Sequence, residues 1–241
     1  HVHTSFDQPS YTFNTNTIGV LNILECVKNT LPSCKIYQSS TSEQFGNNIS
    51  PNGKFQDEQT QFDPQSPYAV AKTAAHHLVN IYRQAYGLHA SCGILFNHES
   101  ERRGENFVSR KITKYVAKIA CNHIIDNLKL GNIYSYRDWG YAKDYIVAMW
   151  LMLQQDIPND YVIATFEANM VKEFLIEAFN LIGKDYINYV EFDSTLLRPA
   201  EVNYLCGNYY FAQKKLGWSP TVRFKELVKI MVESDINNER V

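Results

Sequence analysis

The chain has 241 residues, 45% of them apolar and 20% charged, with a formal net charge of −2. That is the profile of an ordinary globular protein with room for one sizeable domain or one and a half. The balance leaves no basic footprint for nucleic acid and no cationic face for an anionic membrane. Five cysteines (Cys26, Cys34, Cys92, Cys121, Cys206) are odd in number and form no C-x-x-C. They read as reduced thiols of a cytoplasmic protein, mostly core filler, rather than a disulfide frame or a metal site. The longest strongly apolar run, 146–153, is far too short to span a bilayer.

In chain order, 15–29 carries apolar residues at helical spacing, with Ile18, Leu21, Ile23, Leu24 and Val27 on one side. A short buried strand is expected over 35–39, ending in the small polar run that holds Thr41 and Glu43. Residues 47–66, rich in Asn, Gln, Pro and Asp, read as a long surface loop. Pro67 suits the first turn of a helix, where a missing N–H costs nothing. That helix is expected to run to Tyr86 and to be closed by Gly87. A second strand over 88–96 completes a βαβ unit and so a parallel sheet. Further helices are expected over 108–125, 171–182 and 224–236, a turn and helix over 137–155, and a strand over 161–166. The first residue is His1, and none of the 11 glycines forms G-x-G-x-x-G or G-x-x-G-x-x-G. No dinucleotide-phosphate loop is therefore visible in this stretch. If 35–39 is an inner strand of such a sheet, one of its edges is left unpaired here.

Two short runs carry the chemistry. Ser39-Ser40-Thr41-Ser42-Glu43 closes the first strand, and Ser66-Pro67-Tyr68-Ala69-Val70-Ala71-Lys72 opens the helix after it. Tyr-x-x-x-Lys alone is weak: with 16 Tyr in the chain, about one such pair arises by chance. Indeed Tyr210 and Lys214 form another. The context differs, because only Tyr68 and Lys72 follow a strand that ends in a hydroxyl and a carboxylate. On a helix, Tyr68 and Lys72 share a face, and a cation ~4–6 Å from a phenol favours the phenolate. Lys72 is thus expected to make Tyr68 a usable base for an alcohol proton. Thr41 would hold the reacting oxygen, at the strand end where open α/β sheets bind ligands. Oxidising a sugar hydroxyl to a ketone acidifies the neighbouring C–H, and Glu43 stands where it can take that proton. Singly, each residue has an equally good structural reading as a strand-end cap or an exposed pair. All four in one βαβ unit favour chemistry. The Tyr210–Lys214 pair, leading into 215–220 (KLGWSP), reads as structural. So do Asp138 and Trp139, while adjacent His76 and His77 cannot point the same way on a helix to share a metal.

At these residues the chain resembles the extended short-chain dehydrogenases/reductases that act on nucleotide sugars, above all the dehydratases of GDP-mannose. The resemblance rests on 39–46 (SSTSEQFG), 66–72, 93–100 (GILFNHES), 102–104, 106–112 (NFVSRKI), 137–140 (RDWG), 142–145 (AKDY), 198–202 (RPAEV) and 216–220. It implies an α/β fold, the C-terminal portion of a Rossmann-like doubly wound parallel sheet with a smaller α/β substrate-binding part. Residues 1–103 and 132–167 would form an incomplete NADP-binding unit, and 104–131 and 168–241 a nucleotide-sugar-binding one. The implied catalytic set is Thr41, Glu43, Tyr68 and Lys72. Tyr11, Tyr68, Lys72, His98 and Arg103 would contact NADP. Asn97, Asn106, Val108, Lys111, Arg137, Arg198 and Glu201 would surround GDP-mannose, and no metal is implied. The implied reaction converts GDP-mannose to GDP-4-keto-6-deoxy-mannose in a homodimer or homotetramer. Ser42 stands where related dTDP-glucose enzymes carry an acidic residue, so Glu43 would serve as both base and acid. Departures are Glu101 for a usual proline, Tyr141 for a usual histidine, and a shorter 187–198 segment. Two other readings stay open: an epimerase or reductase on a GDP-sugar, and a non-catalytic paralogue that binds a nucleotide sugar or a partner subunit. Without the glycine-rich loop, weak NADP binding is expected of this stretch alone.

Overall fold

The computed structural model describes residues 2–123 and 126–240. Helices α1 (Val2–Asp7), α2 (Pro9–Phe13) and α3 (Gly19–Thr30) precede β1 (Ile36–Thr41), α4 (Pro67–Tyr86) and β2 (Ala90–Leu95). Then come β3 (Asn97–Glu99), α5 (Val108–Ala120), β4 (Leu128–Leu130), β5 (Tyr136–Tyr141), α6 (Ala142–Gln154) and β6 (Asp160–Ile163). The chain closes with β7 (Ala168–Met170), α7 (Val171–Asn180), β8 (Val190–Phe192), α8 (Tyr210–Leu216) and α9 (Phe224–Glu239).

Strands β1, β2 and β6 form a parallel sheet in that order, Ile36 pairing Ala90 and Leu95 pairing Ile163. β2 is buried at every position because it lies between two strands and two helical layers. β1 pairs on one side only among the described residues, as the sequence led one to expect of its edge. On one face lie α3 and α4, packing Leu24, Val79 and Tyr82 on Leu88, Ala90 and Cys92. On the other, α6 and α8 pack Tyr145, Met152 and Ala212, with Trp218 just beyond α8, against Leu95 and Ile163. A second sheet, β3-β5-β7, is parallel between β3 and β5 and antiparallel between β5 and β7. Its Trp139 is roofed by Phe174 and Phe224 from α7 and α9. β4 and β8 pair in parallel to one side. No helix among the described residues is long and apolar enough to cross a membrane.

Helix α4 begins and ends where its sequence says. Ser66 accepts the Ala69 N–H at 3.1 Å, Pro67 occupies the first turn, and Gly87 closes the helix at φ 68°. Elsewhere the structure corrects the sequence. Helix already begins at Val2, and a π-helical turn at Asn14–Ile18 interrupts it, where the Thr17 hydroxyl donates to the Ala71 carbonyl of α4. The expected face is narrower than its five residues: Leu24 is buried, whereas Ile18 and Ile23 are exposed, Ile23 lying about 100° round the helix from Leu24. Residues 137–141, expected as part of a turn and helix, are strand, since pairing with Asn97–Glu99 and Ala168–Met170 overrides local preference. Helix α5 stops at Ala120; its expected continuation to 125 partly lies outside the described residues. The cysteines are less internal than expected, for only Cys92 and Cys206 are buried.

The 47–66 loop is pinned rather than loose. Gln56 is fully buried, and its side chain donates to the Asn48 and Tyr204 carbonyls and accepts from the Cys206 N–H. Its backbone bonds Cys206 and Asn208. Asn47 adds bonds to the Glu201 carbonyl and the Asn203 N–H. The loop thereby fastens 201–208 to the end of the main sheet. At its start, Gly46 has φ 56°, and a Cβ there would meet the Asp63 carbonyl oxygen at 1.9 Å. Only glycine fits.

Candidate active site

A cavity of about 690 Å³ opens over the carboxyl ends of β1 and β2, the end of a parallel sheet where ligands bind. Thr41, Glu43, Tyr68, Lys72, Asn97, His98, Arg103, Asn106, Val108, Lys111, Arg137, Arg198 and Glu201 all line it. Tyr11 does not. Helix α2 turns Thr12 inward and leaves Tyr11 67% exposed on its outer side, away from this cavity.

Thr41 is the pivot of one wall. It ends β1 in extended backbone and caps the 3-10 turn Ser42–Phe45, its hydroxyl accepting the Glu43 N–H at 3.3 Å. The strand end therefore fixes the backbone of the carboxylate residue. Tyr68, in the first turn of α4, lines the same cavity. Burial pushes the Tyr68 phenol above its usual range; the Thr41 bond and the Arg103 cation pull it down, and the Glu43 charge pushes it up again.

Lys72 and Arg103 both line the cavity with Tyr68. Burial draws the Lys72 ammonium below its normal range. Arg103 is built in by its neighbours: its guanidinium carbon lies 3.6 Å from the Phe107 ring centroid, and Nε is 3.2 Å from the Glu99 carboxylate. Glu99 is itself buried and accepts the Ser109 hydroxyl at 2.5 Å. Beside it, His98 Nδ1 is 2.9 Å from the Phe96 carbonyl, and burial holds its imidazole neutral by lowering its pKa.

The facing wall is ionic. Arg137 on β5 is anchored by its own chain, donating to the Tyr136 carbonyl at 2.8 Å and to Glu201 at 3.1 Å. Arg198 lies 3.6 Å from Glu201 and 3.7 Å from Glu43. Two guanidiniums and two carboxylates thus form one chain of charges across the cavity. Burial lowers the Arg137 pKa, opposed first by the Glu43 charge.

Several neighbours escaped the sequence. Ser40 and His76 are joined at 3.1 Å beneath Thr41, and His76 Nε2 is 3.3 Å from Asp160, which Arg83 also holds at 2.6 Å. The adjacent His77 is exposed. Glu99, Lys129, Asn132 and Ser135 also line the cavity. Glu99 and Ser109 sat unremarked inside runs already singled out; Lys129 to Ser135 offer no local signal, since only the β4–β8 pairing brings them near. His76, Cys92 and Asp160 come within 4.8 Å of one another, but Arg83 already neutralises Asp160. Asp138, as expected, is structural: it accepts four bonds, from the Thr165 N–H and hydroxyl and the Phe166 and Gly207 N–H groups.

A tyrosine, threonine, carboxylate and lysine at the carboxyl edge of a parallel sheet define the Rossmann-like dehydrogenase/reductase class, and solved structures agree on the fold. The RMD of Pseudomonas aeruginosa complexed with NADPH superposes with a TM-score of 0.88 at 20% identity, covering 99% of this chain and 78% of that one. DesIV, a dTDP-glucose 4,6-dehydratase from Streptomyces venezuelae with NAD and TYD bound, gives 0.88 at 20% identity, covering 100% and 71%. Within that class the family is specific. The sequence model described as GDP-mannose 4,6 dehydratase matches residues 1–231, and the chain belongs to that family. It is 49% identical over 240 residues to GDP-mannose 4,6 dehydratase 2 of Arabidopsis thaliana and 44% identical over 259 to the Homo sapiens GDP-mannose 4,6 dehydratase. Each alignment covers 98% of this chain, but 63% and 68% of the respective relative. The chain thus spans about two thirds of the length of the curated relatives it matches.

Proposed function

We propose that this chain carries the catalytic and sugar-binding part of a GDP-mannose 4,6-dehydratase. The observation that supports the reading most is that Thr41, at the end of β1, holds the Glu43 N–H and shares one cavity with Glu43, Tyr68 and Lys72. The cavity thereby holds a base for an alcohol proton and a base for the adjacent carbon-bound proton. Tyr68 takes the C4 hydroxyl proton while Thr41 holds that oxygen. Glu43 removes the C5 proton and, with neutral Ser42 beside it, returns a proton to the departing C6 hydroxyl. An epimerase has no use for a carboxylate in that position.

The cofactor reading has partial support. Lys72 is a buried ammonium with no hydrogen bond or ion pair among the described residues, facing the cavity next to Tyr68 and His98. Such a group suits ribose hydroxyls, so Tyr68, Lys72, His98 and Arg103 would hold the nicotinamide-ribose end of a dinucleotide, with NADP the expected one. Hydride uptake from C4 and its return at C6 is the chemistry a nicotinamide dinucleotide supplies when bound. Arg137, Arg198 and Lys111 would take the diphosphate of a GDP-sugar, guanidinium being suited to bidentate phosphate contacts. Asn97, Asn106, Val108 and Glu201 would line the sugar and nucleoside. The division into a cofactor unit (1–103, 132–167) and a substrate unit (104–131, 168–241), a homo-oligomeric assembly and a cytoplasmic location belong to the same proposal.

Incubation with GDP-mannose and NADP⁺ tests it by product analysis. The expected product has lost one water and carries a keto group at C4. A product inverted at C4 with its C6 hydroxyl intact would instead mark an epimerase.

A further inference from the structure

Of the two arginines in the ionic wall, Arg137 is fixed and Arg198 is not. Arg137 uses both terminal nitrogens, one on a backbone carbonyl and one on Glu201. Arg198 reaches both of its carboxylates through a single nitrogen, Nη1, at 3.6 and 3.7 Å, and makes no hydrogen bond among the described residues. Its side chain keeps 30% of its surface exposed, on a segment that follows the 3-10 turn Ser194–Leu196. A guanidinium has five donors in a planar fork. One that offers two long, solvent-accessible contacts is weakly held and will exchange them for a doubly charged oxyanion that fills the fork.

We infer that Arg198 is a positioning residue that occupies Glu43 until a nucleoside diphosphate arrives, and that the diphosphate releases Glu43 by drawing Arg198 away. With no substrate present, the Arg198 guanidinium bridges Glu43 to Glu201. An anion entering between Arg137 and Arg198 competes with both carboxylates. Arg137 stays on Glu201, because its second contact is to its own backbone. Arg198 leaves Glu43, whose Oε1 then faces the sugar with its lone pairs free. The carboxylate is thereby ready for a proton only when the diphosphate is seated, so that sugar lacking its nucleotide meets an engaged base. This rests on the nucleotide-sugar reading above for the identity of the anion, but the Arg198–Glu43 contact itself does not.

Carbodiimide coupling of an amine to carboxyl groups, mapped by peptide mass spectrometry on the 241-residue chain, reads the state of Glu43 without turnover. Arg198→Gln is expected to raise Glu43 labelling about two- to fivefold, the worth of a weak exposed ion pair. Arg198→Lys, which keeps a cation in place, is expected to restore most of the protection. Glu201→Gln, which removes the competing carboxylate, is expected to lower labelling below the parent level. This opposite sign keeps the test decisive even if one variant folds poorly. Unchanged Glu43 labelling in both Arg198→Gln and Glu201→Gln overturns the inference. GDP added to the unaltered chain is expected to raise labelling, and inorganic sulfate at equal concentration to do less. If Arg198→Gln responds while GDP has no effect, the latch stands and the nucleotide-sugar reading falls.

Discussion

The two walls of the cavity are built by different means. The Thr41–Tyr68 wall hangs on regular structure, with a strand end, a capped 3-10 turn and a helix whose cap, first-turn proline and closing glycine all agree. The Arg137–Arg198 wall hangs on side-chain ties: Glu201 between two arginines, and the Gln56 clip that fastens 201–208 to the sheet. Groups that must meet reacting atoms within tenths of an ångström stand on the rigid wall. Groups that must grip and release a charged ligand stand on the adjustable one. Perturbing each wall should therefore give a different signature.

The largest expected effect is on the rigid wall. Tyr68→Phe removes only the phenol oxygen, so turnover of GDP-mannose should fall ~10²–10⁴-fold with KM little changed. On the adjustable wall, Gln56→Ala strips three hydrogen bonds from a buried clip and leaves main-chain groups of Asn48, Tyr204 and Cys206 unpaired. A loss of about 3 kcal/mol in urea unfolding is expected, with KM rising as 198–208 loosens.

Asp160 sharpens the contrast from beneath the rigid wall. Burial alone would raise its pKa, but His76 and Arg83 together overcome this and hold it well below the usual carboxylate range. A depressed carboxylate stabilises the fold above its unfolded pKa of about 3.9 and loses that contribution as pH falls below it. Asp160→Asn should cost about 2 kcal/mol at neutral pH, with the deficit shrinking as the parent is acidified below pH 4. Urea midpoints at several pH values measure this. The smallest effect is expected at Tyr11, whose replacement by Phe should leave KM for NADP⁺ within about twofold, because exposed side chains away from a site rarely matter.

Most of the rigid wall was legible in the sequence because local chemistry specifies it. Ser66, Pro67 and Gly87 bound α4 by capping rules, and that alone sets Tyr68 and Lys72 one turn apart over the end of β1. The adjustable wall was legible only by resemblance. Nothing near Arg198 or Glu201 says that they meet Glu43, which lies more than 150 residues earlier and reaches them through the pinned 47–66 loop. One error shares that origin: pairing with β3 and β7 turned 137–141 into strand.

The central claim is that Glu43 acts as the base for a carbon-bound proton next to a transient ketone. Turnover of GDP-mannose in D₂O reads this directly. The proton taken from C5 leaves in the expelled water, and after hydride returns to C6 the enolate is re-protonated at C5 from a group that has exchanged with solvent. The account predicts one deuterium at C5 of the 4-keto-6-deoxy product, and loss of both product and label in Glu43→Gln. A product without deuterium at C5, or unimpaired labelling in Glu43→Gln, would contradict it.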